Sequence, residues 1–231
     1  MALLGKAAMI LSFDVAPEAM VEHDDWHSHE HFHERMSIPG FLRGSRWVAL
    51  SGEPNYFVMY EVADLDVLAS PPYLERLNNP SRWTSKMMTQ YRGMKRGFCR
   101  ITCSHGEGLG QTGVLIRFSP EADKESTLRD WLNGELLSTL PSRPGLVSAY
   151  LFEAALQPGL TAEQRIRGKD AAVDWVLLVT GYDAGQVANI AAKALSVEEL
   201  QHHGASGVVW GIYQMVHSLS DREAVTHCPN S

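Results

Sequence analysis

The feature that most constrains the fold is an internal repeat with an offset of 105 residues. Three elements recur at this spacing: Asp25-Trp26 and Asp130-Trp131, Glu30 and Glu135, Pro39-Gly40 and Pro144-Gly145. Around them, each copy has the pattern of a strand, a helix, two strands, a helix and a strand. We therefore predict an α+β protein made of two tandem ferredoxin-like β-α-β-β-α-β units. Pairing of their uncovered sheet faces would bury both and form an intrachain α/β barrel of the dimeric type.

The repeat predicts a simple domain organisation. The first unit covers residues 1–105 and carries a helix over 18–36, which ends at Pro39-Gly40. A glycine-rich linker follows at 106–113, and the second unit covers 114–220 with an insertion at 155–172. The polar residues 221–231 predict a flexible tail.

Composition excludes several classes of function. The chain has 231 residues, 45% of them hydrophobic, and a formal net charge of −7, which disfavours nucleic acid as a partner. The apolar run over residues 2–13 is too short to span a membrane, so no membrane partner is expected. Three cysteines in a chain of this length indicate a reducing, cytoplasmic location.

The two copies differ most in their histidines. His27, His29, His31 and His33 stand at alternate positions of the first copy, and none of them returns in the second. At the corresponding positions the second copy has no histidine: His27 matches Leu132, His29 matches Gly134 and His31 matches Leu136, and Arg35 likewise matches Leu140. Polar groups that one copy replaces with apolar ones are poor candidates for maintaining the fold. The difference therefore predicts a functional site on the first helix.

Helical geometry divides this stretch into two arcs, at about 100° per residue. One arc holds His23, His27, Glu30, His31 and Glu34, and the other holds Trp26, His29, Phe32, His33 and Met36. Because the second arc is richer in aromatic side chains, we predict that it packs on the sheet. The first arc would then face solvent, a cleft or a partner.

The first arc has the residue types of an acid–base site. We predict His31 and His27 as the catalytic pair, with Glu30 or Glu34 as the carboxylate that orients an imidazole. The alternative is a solvated polar face with favourable Glu–His pairs. For His29 the two interpretations are a ligand-binding group in a cavity and a core histidine bonded to backbone.

A metal site on the same helix is a weaker hypothesis. His27 and His31, spaced i and i+4, are able to ligate one divalent ion from a single helix face, with Glu30 or Glu34 adding a carboxylate. No third ligand from elsewhere in the chain is indicated, and the His-Glu-x-x-His order is not matched. No motif requires a cofactor.

Further ligand-binding candidates lie on the strands after this helix. Arg43 and Arg46 are candidates for binding a carboxylate-bearing ligand, the alternative being surface charge. Trp47 and Tyr60 are candidates for an aromatic pocket, the alternative being core packing.

These residues carry a resemblance to a known family. The segments that carry it are Asp25-Trp26-His27, Glu30-His31, Glu34-Arg35, Ile38-Pro39-Gly40-Phe41, Arg43, Arg46 and Leu77-Asn78-Asn79-Pro80. They resemble the EthD-type branch of the dimeric α/β-barrel superfamily, which also includes antibiotic-biosynthesis monooxygenases, muconolactone isomerase and chlorite dismutase-like haem proteins. The resemblance implies a small-molecule pocket between sheet and helices. It also implies that His31 corresponds to the family histidine, which stands eight residues before a Pro-Gly turn.

Three functional hypotheses remain open. The first is a small-molecule enzyme of catabolism or tailoring that works by proton transfer, decarboxylation or oxygenation. The second is a non-catalytic protein that binds a small ligand or a metal. The third is an oligomer-forming structural role with the polar helix face as the interface, and a homodimer is compatible with all three.

Overall fold

The computed structural model describes residues 3–155, 162–167, 171–172 and 174–225. Its strands, in chain order, are β1 (Ala7–Val15), β2 (Phe41–Gly52), β3 (Tyr56–Val62), β4 (Tyr91–Gly106), β5 (Thr112–Pro120), β6 (Leu146–Ala154), β7 (Ala171–Ala172), β8 (Trp175–Gly181) and β9 (Ala205–Ser220).

Eight of these strands form a closed antiparallel barrel. The order around it is β1-β3-β2-β9-β5-β8-β6-β4, and β4 pairs back with β1. The two-residue strand β7 lies outside this ring and pairs in parallel with Lys95 and Arg96 of β4. Closure leaves no long open edge in the barrel, which removes a site of aggregation. The predicted α+β class and barrel are thereby confirmed.

The two long strands connect the halves of the barrel. β4 pairs with β1 through residues 91–100 and with β6 through residues 99–106. β9 pairs with β5 over its first part and with β2 over its second part. The sequence predicts shorter strands, at 97–103 and 208–219. Residues 91–96 are extended because β1 supplies their ladder partners, and residues 104–106 are extended because β6 of the other half supplies theirs.

Three hydrophobic clusters follow from the alternation of side chains along the strands. On β1, Ala8 and Ile10 point into the barrel, where they join Trp47, Phe57 and Tyr213 in a buried cluster. The odd-numbered residues of β1 point outward and pack under the helices of the first half. A third cluster fills the equivalent layer of the second half. The barrel therefore has a packed interior and one helical layer outside each half.

The first-half helical layer is built mainly from the segment at 17–36, here called the histidine helix. It has four consecutive parts: a 3-10 turn (Pro17–Ala19), an α-helix (Met20–Trp26), a π-helical turn (His27–His31) and an α-helix (Phe32–Met36). Pro17 stands at the first helical position and Glu18 in the first turn, as helix starts favour. The predicted end at Pro39-Gly40 is confirmed, since Gly40 has a positive φ of 93°. The π-helical turn was not predicted.

The remaining helices complete the two outer layers. They are the 3-10 turns Leu65–Ala69 and Leu140–Ser142, the π-helical turn Leu132–Leu137 and the α-helices Pro71–Asn78, Arg82–Met88, Glu125–Trp131, Ala162–Arg167, Ala184–Ala192, Val197–His202 and Asp221–Val225. The alanine-rich sequence predicts one helix over 184–199, but the structure has two, because Ser196 caps a separate helix through its side chain. The prediction of a flexible tail from Asp221 was wrong for the short helix Asp221–Val225, and residues 226–231 lie outside the described chain.

Two further expectations concern cysteines and membranes. Cys99 and Cys103 are free and buried, and burial raises the pKa of Cys99 to about 12 and that of Cys103 to about 11. Both are therefore protonated, unreactive thiols at neutral pH. Among the described residues, no helix has the length and apolar character needed to cross a membrane.

Candidate active site

The π-helical turn decides which side chains of the histidine helix meet. Because a π-helical turn contains an additional residue, side chains five positions apart come into contact. The rings of Trp26 and His31 have centroids 4.4 Å apart, and those of His27 and Phe32 are 4.5 Å apart. The buried stripe of the helix is widened by this change and includes members of both predicted arcs.

The prediction that the second arc packs on the sheet was wrong for His29. His23, His27 and His31 of the first arc are buried, with exposures of 0%, 2% and 6%. His29, for which a cavity position and a core position were both considered, has a side chain that is 72% exposed and an Nδ1 that lies 2.9 Å from the Asp25 carbonyl oxygen. The prediction placed only the second, aromatic-rich arc against the sheet. In the structure, the π-helical turn brings Trp26 and Phe32 of that arc into contact with the buried His31 and His27 of the first arc.

A cavity of about 20 Å³ lies between the histidine helix and the outer face of the barrel. This volume is enough for one or two water molecules. Its polar lining residues are His27, His31, Arg35, Tyr60, Tyr73, Tyr91, Arg96 and Glu163, and its apolar lining residues are Met9, Leu11, Phe13, Val58, Leu77, Met88 and Met94. We call this the histidine cavity. The prediction of Tyr60 as a lining residue is consistent with it.

His27 is the most completely enclosed imidazole of the cavity. Its Nε2 lies 3.3 Å from the Tyr60 hydroxyl, and its Nδ1 is buried with no hydrogen-bond partner among the described residues. Burial, together with the charges of His31 and His23, holds the pKa of His27 well below its usual value. Burial also raises the pKa of Tyr60 well above its usual value. At neutral pH the site therefore contains a neutral imidazole next to a protonated phenol.

His31 and His23 flank His27 along the helix. The His31 ring centroid is 5.3 Å from that of His27, and its Nδ1 is 3.7 Å from Glu34 Oε2. The His23 ring stacks on His27 with centroids 5.4 Å apart and an interplanar angle of 30°. His23 Nδ1 lies 3.1 Å from Asp24 Oδ1, and burial lowers the pKa of His23. Three imidazoles thus form a continuous row under the helix.

A buried ion pair closes the other side of the cavity. Arg35 Nη2 donates to both carboxylate oxygens of Glu163, at 2.7 and 3.0 Å, and both side chains are at most 3% exposed. Burial alone would lower the pKa of Arg35, but Glu163 raises it above its usual value. Glu163 belongs to the insertion of the second half, 128 residues further along the chain. The insertion therefore contributes a charged group to a site in the first half.

Four other predicted site residues lie outside the cavity. Glu30 Oε1 accepts hydrogen bonds from Trp26 Nε1, Ser81 Oγ and Thr84 Oγ1, at 3.2, 2.5 and 3.2 Å, and so ties the helix to its neighbour. Arg43 Nε donates to Glu61 Oε1 at 2.6 Å.

The other two of these residues also have structural partners. Arg46 Nη1 donates to the Asp24 carbonyl oxygen at 3.0 Å, and Trp47 is buried inside the barrel. The structure does not bring Arg43, Arg46 or Trp47 together as one ligand pocket.

The second half provides a matched comparison for the site. His23, His27, His31 and Arg35 correspond to Leu128, Leu132, Leu136 and Leu140, all of which are buried. The strand registers extend the comparison. Met9 pairs with Tyr60, and Val114, which is 105 residues after Met9, pairs with Val179, so Tyr60 corresponds to Val179. Tyr91 corresponds to Ala205 in the same way. The second half therefore fills with apolar side chains the space that is polar in the first.

The cover over the two halves also differs. Arg96, whose backbone pairs with β7, is 2% exposed, whereas Trp210, at the corresponding register position of the second half, is 40% exposed. Sequence reasoning missed Arg96 and Glu163 because no local pattern marks a contact between distant segments. For Arg35 a signal existed in its replacement by Leu140 in the repeat.

The described residues do not form a metal-binding group. Within residues 3–155, 162–167, 171–172 and 174–225, no three His, Cys, Asp or Glu side chains converge in a way that could hold an ion. The weak metal hypothesis for His27 and His31 therefore has no third ligand in that part of the chain.

Comparisons with known proteins identify the fold. No protein-family model matches the chain, and no curated protein matches it. A solved structure of an anthrone oxidase-like protein is similar over 99% of both chains, with a TM-score of 0.69 and 11% identity. A candidate monooxygenase from Fusobacterium nucleatum is similar over 94% of this chain and 96% of its own, with a TM-score of 0.62 and 9% identity. Chlorite dismutase from Candidatus Nitrospira defluvii, in complex with imidazole, is similar over 95% of this chain and 93% of its own, with a TM-score of 0.54 and 12% identity.

These neighbours are dimeric α/β-barrel proteins. At such low identity the likeness concerns the fold alone. Together with the closed eight-stranded barrel, it gives this chain the dimeric α/β-barrel fold, with both halves in one polypeptide.

Proposed function

We propose that this protein is a small-molecule enzyme whose acid–base chemistry takes place in the histidine cavity, with His27 and His31 as the catalytic pair. The observation that carries the proposal is the buried, unpartnered Nδ1 of His27 in a cavity wall. Leaving such an atom without a partner costs about 1–3 kcal/mol. The second half avoids that cost with leucine at the same position.

The protonation state of His27 suits it to the role of general base. Since burial favours its neutral form, the imidazole is ready to accept a proton from an acidic C–H or O–H group. Tyr60, held in its protonated form, acts as a hydrogen-bond donor to His27 or to a substrate oxygen. His31 serves as the partner acid or base, and Glu34, 3.7 Å away, orients it.

The other predicted carboxylate has a different role. Glu30 is committed to Trp26, Ser81 and Thr84, so we assign it to positioning the helix. Arg35, held by Glu163, adds a fixed positive charge that favours a developing negative charge on the substrate. His29, on the exposed side of the helix, has no part in this mechanism.

The size of the cavity limits the substrate. Ligand pockets have volumes of about 300–1,000 Å³, far more than the cavity of about 20 Å³. Met9, Met88 and Met94 line it, and unbranched methionine side chains adapt readily to a bound molecule. A small substrate is therefore favoured. A haem does not fit this cavity of about 20 Å³.

The neighbours support the proposal of a small-molecule enzyme at a general level. Anthrone oxidase-like and candidate monooxygenase proteins are among them. We propose the same general class here, in a chain made of two tandem ferredoxin-like units and related to the EthD-type branch. We propose isomerisation, decarboxylation or oxygenation as the reaction, because each of the three includes a proton transfer in which His27 would take part.

Turnover measurements test the proposal. The purified protein is incubated with a panel of small phenols and enolisable lactones, while oxygen uptake and ultraviolet absorbance are followed. We expect turnover of at least one compound, with His27→Leu and His31→Leu each lowering the rate by about 10²–10⁴-fold. His29→Gln, on the exposed side, is the control and keeps the wild-type rate. Unchanged turnover in folded His27→Leu and His31→Leu variants contradicts the assignment.

The alternative is a non-catalytic protein that binds a small ligand. The same panel discriminates the two, because a compound that raises the melting temperature of the wild type but not of His27→Leu, and is recovered unchanged, supports binding alone.

A further inference from the structure

A polar path leads from the buried histidines to solvent, on the side away from Glu163. It begins at His27 in the cavity wall, continues to the stacked ring of His23 and ends at Asp24, whose side chain is 41% exposed. His23 is 0% exposed and lies outside the cavity lining. Neither His23 nor Asp24 therefore has a place in the substrate-binding part of the site.

The hydrogen-bonding state of His23 is unusual for a buried side chain. Nδ1 lies 3.1 Å from Asp24 Oδ1, while Nε2 is buried with no partner among the described residues. His27, in ring contact with His23, has an unpartnered Nδ1 of its own. Two adjacent imidazoles thus each have one unsatisfied nitrogen, although buried polar groups are nearly always paired.

The surroundings of His23 do not explain its presence as a packing residue. Its ring contacts Phe13, Trp26, Tyr56 and Tyr91. Its counterpart in the second half is the fully buried Leu128, so this fold accepts leucine at that position. An apolar residue would avoid the cost of desolvating an imidazole.

We propose that His23 and Asp24 form a proton relay that connects His27 to solvent. This inference rests on the proposed role of His27. After His27 has accepted a proton, it passes one proton to His23 Nε2, and His23 releases its Nδ1 proton to the Asp24 carboxylate. Asp24 then gives that proton to water. Each group returns to its starting charge, and no oxidant, reductant or further reactant is required.

Geometry sets one requirement for the transfer. The two rings are stacked at 30°, so a rotation of one ring about its side-chain bond must bring the nitrogens edge to edge. Arg46 stands on the outer side of the path, with Nη1 3.8 Å from Asp24 Oδ1. Its positive charge, together with His23, keeps the Asp24 pKa low even though burial alone would raise it. The terminal group of the relay is therefore a carboxylate that releases its proton readily to solvent.

The test measures proton exchange and needs no substrate. In protein labelled with ¹⁵N-histidine, NMR follows the rate at which the ring N–H proton of His27 exchanges with water. We expect His23→Leu to slow that exchange by about tenfold or more, and Asp24→Asn to slow it by a smaller factor. Asp24→Glu, which retains a carboxylate, restores most of the rate. His29→Gln is the control and leaves the rate unchanged.

Two outcomes overturn the relay. One is an unchanged exchange rate at His27 in both His23→Leu and Asp24→Asn. The other is slowing that follows a rise in the free energy of unfolding, measured in urea, because exchange through unfolding would then account for it. Since Asp24→Asn preserves side-chain shape, it remains informative if His23→Leu folds poorly. A normal relay in a protein without turnover would count against the proposed function and leave the relay standing.

Discussion

At the scale of residues, the histidine cavity and the core beside it contain polar groups that the fold does not need. His23 Nε2, His27 Nδ1 and Arg35 Nη1 are buried without hydrogen-bond partners in the described part of the chain. Natural proteins retain such groups where chemistry requires them, at a cost in stability. The leucines at the matching positions of the second half show that this architecture also works without them.

The Arg35–Glu163 pair leads to a prediction about stability. Removing one member of a buried ion pair costs about 3–5 kcal/mol, because the other charge stays buried. We expect Arg35→Leu, which copies Leu140, to lower the free energy of unfolding by about that amount in urea titrations. The double variant Arg35→Leu/Glu163→Gln should recover part of the loss.

A surface pair serves as the control for this experiment. Arg129 bonds Glu153 and Glu125, but its side chain is 35% exposed. We expect Arg129→Leu to change the free energy of unfolding by less than about 1 kcal/mol. Equal losses for Arg35→Leu and Arg129→Leu would show that burial does not distinguish the two pairs.

At the scale of elements, the π-helical turn is common to both halves. His27–His31 in the first half and Leu132–Leu137 in the second adopt the same kind of turn. The turn is therefore part of the architecture, and the residues that it presents differ between the halves. One half presents imidazoles to a cavity, and the other presents leucines to a packed core.

This comparison predicts the effect of copying the apolar half. His27→Leu alone removes an unsatisfied imidazole but leaves the Tyr60 hydroxyl without its 3.3 Å partner. The double variant His27→Leu/Tyr60→Phe removes both groups. We expect it to be more stable than the wild type by about 1–2 kcal/mol in urea titrations at pH 7.5, and more stable than His27→Leu. A double variant less stable than either single variant would contradict this view of the site.

Sequence patterns predicted most of this architecture and less of the site. The sequence predicts strands at 56–62 and 146–154, because turn-forming residues precede them, and the structure has both strands at these bounds. The orientation of the histidine helix was wrong because a periodicity of 100° per residue does not anticipate a π-helical turn. Glu163 was not predicted as a site residue because the sequence does not show that the insertion containing it reaches Arg35 in the first half.

At the scale of the whole molecule, stability should depend on pH through the buried histidines. Burial lowers the pKa values of His23, His27 and His217 in the folded protein, whereas in the unfolded chain a histidine has a pKa of about 6.5. As the pH falls below that value, the unfolded chain takes up protons that the folded protein does not. Folding stability is therefore lost towards acid pH and is fully present above about pH 7.

Calorimetry checks this dependence. We expect the melting temperature to fall between pH 7.5 and pH 5.5, and to fall less in the variant His23→Leu/His27→Leu. Glu61, whose pKa is raised by burial, acts in the opposite direction, and the difference between variant and wild type removes its contribution. Parallel pH profiles for the two proteins would refute the assignment of the dependence to these imidazoles.

The shared strands lead to a prediction about cooperativity. Since β4 and β9 each pair with strands of both halves, neither half keeps a complete sheet when the other unfolds. We expect one calorimetric transition whose measured and van't Hoff enthalpies agree. Two separable transitions would show that the halves are independent.

The joining of both halves in one polypeptide has a consequence for how such a protein diverges. In a barrel assembled from two identical subunits, every substitution occurs twice, so a costly polar residue weakens both helical layers at once. A single gene that encodes both layers is free of that symmetry. One layer can accumulate the buried histidines, tyrosines and arginines that line the histidine cavity while the other keeps its leucines packed against the barrel.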